Sequence, residues 1–316
     1  MTAPLIETVN LKKYFKTSKG MLHAVEDVNL KIYPGKTLGV VGESGCGKST
    51  LGRTILRLHQ ATSGQVLFEG QDILKYKRRE MKKVHKNMQM IFQDPYSSLD
   101  PRMSIHNIIA EPVREMYGSY GNKKELEEKV HHIMELCGLP RRYANSYPHE
   151  LDGGRRQRVG LARAMVVEPR FIVCDEPVSA LDVSIQAQIL NLLMDLQEQR
   201  ELAYMFITHD LCVVKHISDH IMVMYMGQVV EYASKEELFR RQFHPYTKAL
   251  LSAIPTTELN RRKRERQTLT GEVTSPVNPL PGCRFAPRCP YATEKCKAEY
   301  QLHEAAPGHF VACNLC

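Results

Sequence analysis

The fold of this chain is decided by the stretch Gly42-Glu43-Ser44-Gly45-Cys46-Gly47-Lys48-Ser49-Thr50, which matches the phosphate-binding pattern G-x4-G-K-S/T. The apolar run Leu38–Val41 before it predicts a buried strand, and residues 48–58 after it predict a helix. Its glycines allow successive backbone N–H groups to surround an anion, and the helix directs its positive end to the same place. The sequence therefore predicts a loop that binds the phosphates of a nucleotide.

Two side chains of this loop carry the expected chemistry. Lys48 is expected to reach the β- and γ-phosphates, and the hydroxyl of Ser49 is expected to bind Mg²⁺. An ordinary glycine-rich turn is the alternative interpretation. Every position fits the pattern and both flanks have the required character, so we favour the nucleotide site.

Composition limits the class of protein. The chain has 316 residues, of which 43% are hydrophobic and 25% are charged, and these values are typical of a globular protein with a sizeable core. The sequence lacks a run of about 18 apolar residues, so it predicts no membrane span. Its first residues lack the pattern of a secretory signal, which favours the cytosol. The net charge of +8 favours a solvated basic face over a nucleic-acid interface.

Apolar segments around the loop predict further strands. Residues 5–9 and 24–32 carry apolar side chains near period two, and residues 64–70 predict another short strand. Phe15 offers a ring that can stack on a nucleotide base, with Tyr14 as the alternative. An aromatic residue in a strand is more often part of the hydrophobic core. Either ring is therefore a candidate for base stacking only if other nucleotide-binding motifs are present.

A charged segment follows, and then a short strand. Residues 75–86 predict an exposed helix or loop, which runs into an apolar strand ending near Gln93 and Pro95. Helical spacing then dominates, with an amphipathic helix predicted at 124–136. A glutamine at a strand end is usually a plain loop residue. Gln93 is therefore a candidate site residue only if other nucleotide-binding motifs accompany it.

A second candidate element is Phe171-Ile172-Val173-Cys174-Asp175-Glu176, an apolar strand that ends in two acids. Ligands bind at the carboxyl ends of strands in open α/β sheets. We expect Asp175 to hold Mg²⁺ through water and Glu176 to polarise an attacking water. The strand at 203–207 is followed in the same way by His209, which is placed to contact the γ-phosphate and align that water. A surface histidine is the alternative for His209.

A third element, Leu151-Asp152-Gly153-Gly154-Arg155, places two glycines at the start of a predicted helix, which makes another anion-facing helix end. This signature stretch completes a set of six motifs, and the set resembles, in content and order, that of the ATP-binding subunits of ABC transporters. The resemblance covers about residues 5–255. The other five motifs are the phosphate loop, Gln93, Asp175-Glu176, Ser179–Asp182 and His209.

This resemblance implies a fold, its boundaries and its ligands. The implied fold is an α/β P-loop ABC ATPase domain with a RecA-like core, an antiparallel β subdomain and an inserted α-helical subdomain, followed by a small cysteine-containing extension. The implied ranges are 1–255 for the ATP-binding domain, about 95–168 for its helical subdomain and 256–316 for the extension. ATP would be bound by Phe15, Gly42–Thr50, Gln93, Asp175 and His209, Mg²⁺ through Ser49, Gln93 and Asp175, and catalysis would involve Glu176, His209 and Gln93.

The family pattern further implies that two such domains meet head to tail. Each ATP would lie between the phosphate loop of one domain and the signature of the other, here Asp152–Arg155, and hydrolysis would let the pair separate. The implied partners are a second ATPase, two membrane permease subunits that contact the region of Gln93, and indirectly an extracytoplasmic substrate-binding protein. The implied location is the cytoplasmic face of the cell membrane, with no nucleic acid bound.

The sequence departs from the family pattern in its signature. The usual sequence is Leu-Ser-Gly-Gly-Gln, whereas here Asp152 replaces the serine and Arg155 replaces the glutamine. An ionised carboxylate cannot donate to the γ-phosphate of the opposite ATP. Its repulsion would cost on the order of a few kcal/mol unless Asp152 is protonated or pairs with Arg155. We therefore expect an asymmetric heterodimer with a related ATPase.

Cysteines are concentrated at the end of the chain. Five of the nine lie within residues 283–316, while Cys46, Cys137, Cys174 and Cys212 are scattered and predict small buried side chains. Residues 244–251 and the stretch Pro281–Pro290 resemble the peptide- and nickel-importer branch of the ABC family. Peptides are the implied substrate, and nickel is an alternative.

A cluster of thiolates in a reducing compartment suggests a metal, since disulfides are disfavoured there. The wide spacings do not fit the C-x2-C pairs of structural zinc, and all-cysteine ligation also suits a four-iron, four-sulfur cluster. The resemblance favours the cluster, and plain free cysteines are the alternative. Cys316 is treated as a spare, and the implied ligands are Cys283, Cys289, Cys296 and Cys313.

A second class of function stays open from the sequence. A soluble ABC ATPase that acts on nucleic acid or ribosomes would account for the basic run Arg261–Arg266 and for metal-binding cysteines. Such proteins commonly carry two ATP domains or a long coiled-coil insertion, and neither feature is evident here. The importer is therefore the favoured interpretation.

Overall fold

The computed structural model describes residues 3–118, 121–253, 275–297 and 300–315, except for the side chain of Pro95. The strands are β1 (Ile6–Thr17), β2 (Gly20–Ile32), β3 (Thr37–Val41), β4 (Ser63–Phe68), β5 (Gln71–Asp72), β6 (Met88–Ile91), β7 (Phe171–Asp175), β8 (Ala203–Ile207), β9 (His220–Tyr225), β10 (Gln228–Ser234), β11 (His303–Ala306) and β12 (His309–Val311). The helices are α1 (Lys48–Ile55), α2 (Arg78–Asn87), α3 (Pro95–Ser98), α4 (Ile105–Tyr117), α5 (Lys123–Leu136), α6 (Gly153–Met165), α7 (Val183–Arg200), α8 (Leu211–Ile217), α9 (Lys235–Arg240) and α10 (Pro245–Ser252).

The elements predicted around the phosphate loop are present. The strand before the loop is β3, and the helix after it is α1, which ends at Ile55 rather than at Leu58. The two predicted strands near the beginning are β1 and β2, and both are longer than their apolar cores suggested. Their polar residues alternate with buried ones, so the strands continue beyond the part that period-two patterning could detect.

The chain divides into two compact units. The first consists of Met1–Leu5, Ile32–Lys36 and Phe68–Met205, and the second of Ile6–Lys31, Thr37–Leu67 and Phe206–Cys316. The boundary predicted at 255/256 falls among residues 254–274, which lie outside the described part of the chain. The division into an ATP-binding domain and an extension therefore stays a prediction.

In the first unit, a buried strand pair carries a helical layer. Strand β6 lies parallel to β7, with Met90 opposite Val173, and every residue of β7 is buried. Such uninterrupted burial is typical of parallel strands that are covered on both faces. Helices α3, α4 and α5 all pack against α6, and these four helices fall within the predicted helical segment.

In the second unit, the strands beside the phosphate loop run in the order β11-β12-β10-β9-β3. Strand β3 is parallel to β9, with Val40 opposite Met222, and all five residues of β3 are buried. Strands β9 and β10 form an antiparallel hairpin. Strands β2, β1 and β4 are neighbours in a separate sheet, in that order.

The cysteine-containing extension is joined to this unit by strands that the sequence did not reveal. Strands β11 and β12 form a hairpin, and β12 pairs antiparallel with β10, placing Val311 opposite Glu231. These strands have four and three residues, too few for a periodic signal. The partner of β12 is also distant in sequence, so local patterning could not indicate the pairing.

A buried hydrogen-bonded contact reinforces the attachment of β12. The carboxylate of Glu231 is fully buried and lies 2.7 Å from Nε2 of His309, which is 1% exposed. The backbone N–H groups of Phe243 and His244 donate to the same carboxylate at 2.8 and 3.0 Å. Because an unpaired buried charge is costly, these contacts fix the end of the extension on β10.

Across the described ranges, each helix is too short or too polar to cross a bilayer.

Candidate functional site

The phosphate loop has the backbone that its glycines predicted. Gly42, Gly45 and Gly47 have φ values of 153°, 76° and 107°. A Cβ atom at Gly47 would lie 2.1 Å from the carbonyl oxygen of Ala24, and one at Gly42 would lie 2.2 Å from that of Met224. These contacts are with backbone atoms, so neither position accepts a side chain without a shift of the strand beside it.

Lys48 places a buried positive charge inside this loop. Its side chain belongs to a residue that is 5% exposed, and its ammonium donates to the carbonyl oxygens of Gly42 at 2.8 Å and Glu43 at 2.9 Å. Burial raises the pKa of the nearby Cys46 thiol, even though Lys48 acts in the opposite direction. The loop therefore combines one cation, a neutral thiol and glycine N–H groups, which is an arrangement suited to an anion.

Glu43 is held by contacts at three of its groups, which are its backbone N–H, its carbonyl oxygen and its carboxylate. Its backbone N–H donates to the hydroxyl of Tyr246 at 2.9 Å, and its carbonyl oxygen accepts from Lys48. Its carboxylate receives Nη1 of Arg288 at 2.9 and 3.2 Å. Arg288 belongs to the extension and stands next to Cys289. The only hint in the sequence was an arginine beside a cysteine in a proline-rich stretch.

The two aromatic candidates for base stacking lie in different surroundings. The ring of Phe15 contacts His59 edge-on at a centroid distance of 5.5 Å, and the ammonium of Lys13 lies 4.5 Å from its centre. The ring of Tyr14 stacks on His23 at 3.8 Å, and its hydroxyl donates to Glu26 at 2.5 Å. The choice of Phe15 stays a prediction, with Tyr14 as its alternative.

In the first unit, the glutamine and the second acid predicted from sequence come together. The amide Nε2 of Gln93 lies 3.0 Å from Oε2 of Glu176. Glu176 has a φ of 47°, in the left-handed region that non-glycine residues rarely adopt. Asp175, the last residue of β7, is fully buried. Backbone strain of this kind concentrates at functional sites, which makes this strand end a candidate for chemistry.

The signature stretch begins α6. Asp152 is the N-cap, because its Oδ1 accepts from the backbone N–H of Arg155 at 2.8 Å. Its Oδ2 also lies 2.5 Å from Nη1 of Arg155, with both side chains about half exposed. A Cβ atom at Gly154 would lie 2.7 Å from the side chain of Ile185, so the helix start packs closely on α7. The pairing of Asp152 with Arg155 is one of the two arrangements expected to relieve repulsion between the Asp152 carboxylate and the γ-phosphate of an opposite ATP.

His209 follows β8 and is exposed. The residue after it, Asp210, is the N-cap of α8 and accepts from the backbone N–H groups of Cys212 and Val213. The loop that carries His209 is therefore fixed at a helix start. Its proposed contact with the γ-phosphate stays a prediction.

Four cysteines of the extension line one cavity. The cavity is small and partly open to solvent, and it is also bordered by Tyr300. The cysteines are those named from the sequence, Cys283, Cys289, Cys296 and Cys313. Burial raises the pKa of Cys283 to about 11 and also raises that of Cys289. Cys316 and the basic run Arg261–Arg266 lie outside the described residues.

Two further observations concern the cysteines. Within the described ranges, no group of three or more histidine, cysteine, aspartate or glutamate side chains is arranged to hold a metal ion. Of the scattered cysteines predicted to be buried, Cys212 is exposed, and that prediction was wrong. Cys212 lies in the first turn of α8, a short helix whose apolar face is formed by Leu211, Val213 and Val214 instead.

Two family models match the chain. The model described as ABC transporter matches residues 25–179, which include the phosphate loop, the signature and the Asp175-Glu176 pair. The model described as the C-terminal region of oligopeptide/dipeptide transporters matches residues 230–296, which include three of the cavity cysteines.

Similar proteins cover the whole chain. The oligopeptide transport ATP-binding protein AppF of Bacillus subtilis (strain 168) is 49% identical over 331 residues, covering 100% of this chain and 99% of its own. The oligopeptide transport ATP-binding protein OppF of Salmonella typhimurium is 47% identical, covering 98% of this chain and 95% of its own. Among solved structures, the dimeric post-hydrolysis state of the ATP-binding cassette MJ0796 bound to ADP and Pi has a TM-score of 0.67 at 27% identity, covering 75% of this chain and 100% of its own.

Proposed function

Because this chain belongs to the ABC transporter family of ATPases, in its oligopeptide/dipeptide importer branch, we propose that it couples ATP hydrolysis to the uptake of small peptides across the cytoplasmic membrane. The observation that carries this proposal is the presence in one chain of the phosphate loop and of the importer-type C-terminal region. Peptides are favoured over nickel because AppF and OppF are both named as oligopeptide transport proteins.

The phosphate loop is proposed to bind the phosphates of ATP. Its support is the buried Lys48 within a loop whose glycines have positive φ values, which is the backbone of an anion-binding nest. Ser49, Gln93 and Asp175 are the proposed ligands of Mg²⁺, whose charge offsets that of the phosphates during transfer. Mg²⁺ prefers oxygen ligands of this type. The side chain of Asp175, which is buried, is the one carboxylate among the three proposed ligands. Phe15 is the proposed partner of the adenine.

Glu176 is proposed to polarise the water that attacks the γ-phosphate. The amide of Gln93 donates to its carboxylate at 3.0 Å, which orients the carboxylate at the end of β7. His209 is proposed to contact the γ-phosphate and hold the water in line. In this scheme Gln93 serves both the metal and the base, so it links the two.

The signature is proposed to serve the ATP of a partner chain. The guanidinium of Arg155 offsets the charge of the Asp152 carboxylate. The two ATP sites of the dimer should therefore differ less than the sequence alone predicts. The paired carboxylate still has no proton to donate to the γ-phosphate. We therefore propose a heterodimer in which a related ATPase supplies a serine to this chain's own ATP, while Asp152 completes a weak site on the partner.

Replacing Asp152 by Ser is expected to raise ATP turnover of the assembled complex by about tenfold, since it restores a donor worth roughly one charge-assisted hydrogen bond. Serine is also a good N-cap, so α6 should keep its stability. The Asp152→Asn variant removes the charge, keeps the cap and offers amide donors, so it should also raise turnover, whereas Asp152→Ala offers no donor and is the control. The measurement is steady-state ATP hydrolysis by the complete complex. An unchanged rate, together with full activity of a homodimer of this chain, would refute the asymmetry.

The proposed partners include two permease subunits and, through them, a substrate-binding protein, with this chain attached to the cytoplasmic face of the membrane. Purification of the native complex through a tag on this chain tests the assignment. Two membrane proteins and one second ATPase are the expected companions. Recovery of ribosomes or nucleic acid in their place would favour the soluble alternative.

A four-iron, four-sulfur cluster is proposed for the cysteine cavity. The support for this proposal is that four thiols line one space, because all-cysteine ligation is typical of such clusters. The hydroxyl of Tyr300 borders the cavity, is buried, and has no hydrogen-bond partner among the described residues. A cluster thiolate would give that hydroxyl an acceptor, so the lining fits the group.

Anaerobically prepared protein is expected to be brown and to contain iron and sulfide at about four atoms each per chain. The Cys283→Ser variant should lose most of both, because it removes one of the four thiols. Replacing the exposed Cys212 by Ser is the control and should change neither content. Elemental analysis and sulfide assay make the measurement. One zinc ion per chain without iron, or thiols with no metal at all, would overturn the proposal.

A further inference from the structure

We propose that Arg288 is a positioning residue for ATP. It holds Glu43 in the phosphate loop and cancels its charge, so the C-terminal extension becomes part of the nucleotide-binding machinery. The inference rests on the proposed role of the phosphate loop and adds a residue that none of the nucleotide motifs contains.

The contact between Arg288 and Glu43 is close and sheltered. Nη1 of Arg288 lies 2.9 and 3.2 Å from the two carboxylate oxygens, and the arginine and glutamate side chains are 7% and 27% exposed. The two residues are 245 positions apart in sequence. Pairs that are this well shielded from water are screened little by salt, so the contact is worth more than a surface ion pair.

Glu43 needs a partner because of where it stands. It is the second residue of the loop, and its carbonyl oxygen accepts from the ammonium of Lys48 at 2.9 Å. An unpaired carboxylate at that place would repel a polyphosphate and would also draw on the charge of Lys48. Arg288 removes this penalty, because its guanidinium neutralises the carboxylate from the side of the extension.

Arg288 is itself fixed by its surroundings. It ends a short helical turn, Ala286–Arg288, and its backbone N–H donates to Phe285 at 2.9 Å. Its Nη1 also lies 3.3 Å from the hydroxyl of Tyr225. Cys289, the next residue along the chain, lines the cysteine cavity. The arginine that contacts the phosphate loop and a cysteine of the cavity are therefore adjacent in sequence.

A second arginine of the extension makes a parallel connection. Arg284, with 6% of its side chain exposed, places Nη2 2.7 Å from Glu26 and also donates to the carbonyl oxygen of Met226. Burial opposes ionisation of Glu26, but hydrogen bonds from Tyr14 and His23 and the charge of Arg284 lower its pKa overall. The extension thus contacts both the phosphate loop, through Glu43, and strand β2, through Glu26.

The test is equilibrium binding of MgATP to the complete chain, measured by calorimetry at low temperature. Arg288→Ala is expected to weaken binding about tenfold, and the double variant Arg288→Ala with Glu43→Gln should recover most of that loss. Recovery separates charge cancellation from a purely structural role, since a destabilised loop would not improve when a second contact is removed. Thermal unfolding of each variant confirms that it is folded.

Two comparisons make the result decisive. Lys297→Ala removes an exposed ion pair with Glu294 in the same extension and should leave binding unchanged. If the unaltered chain binds MgATP and Arg288→Ala binds it equally well, the inference fails while the proposed function stands. If Arg288→Ala does not fold, Glu43→Gln alone decides: it should bind at least as tightly as the unaltered chain, and weaker binding would contradict the inference. Failure of the unaltered chain to bind MgATP would instead contradict the proposed function.

Discussion

Replacing Glu176 by Gln is expected to lower ATP turnover about 10²–10⁴-fold while nucleotide binding persists, because a positioned general base contributes a factor of that size. The substitution keeps the shape of the side chain and an oxygen that can accept from the Gln93 amide, now 3.0 Å away. It removes only the ability to accept a proton from the attacking water. A large loss in rate with little change in affinity is the signature of an interaction made in the transition state.

A matched control for this variant is available in the same unit. Glu198 is exposed on α7, so Glu198→Gln removes one carboxylate without touching the strand ends and should leave turnover unchanged. The rate is measured by phosphate release from the complete complex at saturating ATP. Turnover within threefold of the unaltered complex would contradict the assignment of Glu176.

Replacing Lys48 by Met is expected to weaken MgATP binding about 100-fold, which corresponds to the loss of two charge-assisted contacts with the phosphates. Methionine keeps the unbranched stem of lysine, so the buried space stays filled. The ammonium now satisfies the carbonyl oxygens of Gly42 and Glu43, and its removal leaves these without that donor. Thermal unfolding therefore has to accompany the binding measurement.

The control for Lys48 is an exposed lysine of the same unit. Lys31 pairs with Glu7 at 3.2 Å with 54% of its side chain exposed, and Lys31→Met should leave the affinity for MgATP unchanged. Binding is measured by calorimetry, as it is for Arg288. If Lys48→Met were folded and retained the affinity of the unaltered chain, the loop would not be the phosphate site.

The local parts of this fold could be predicted because their signals lie within short stretches. The glycines of the phosphate loop and the apolar run before it demand one backbone path, and β3 and α1 follow that path. Asp152 and Arg155 lie within one helical turn of each other. Their contact could therefore be predicted from sequence as one way to reduce repulsion between Asp152 and a phosphate. The meeting of Gln93 with Glu176 required a family pattern, since 83 positions separate them.

The integration of the extension could not be predicted from local patterns. Arg288 meets Glu43 and Arg284 meets Glu26 across 245 and 258 positions, and β12 pairs with β10 through strands too short to show periodicity. Each contact depends on the tertiary arrangement that brings distant segments together. The sequence marked the cysteines of this region but not the arginines beside them, although Arg288 contacts the phosphate loop and Arg284 contacts strand β2.

The central claim is that this chain uses ATP to drive peptide uptake, and the most direct measurement is ATP hydrolysis by the complete membrane complex in proteoliposomes with and without a peptide-loaded binding protein. Hydrolysis and peptide accumulation should rise together when the loaded binding protein is added, and both should be abolished when Glu176→Gln is present in this chain. Peptide accumulation that continues with Glu176→Gln, or hydrolysis by a complex that accumulates no peptide, would contradict it.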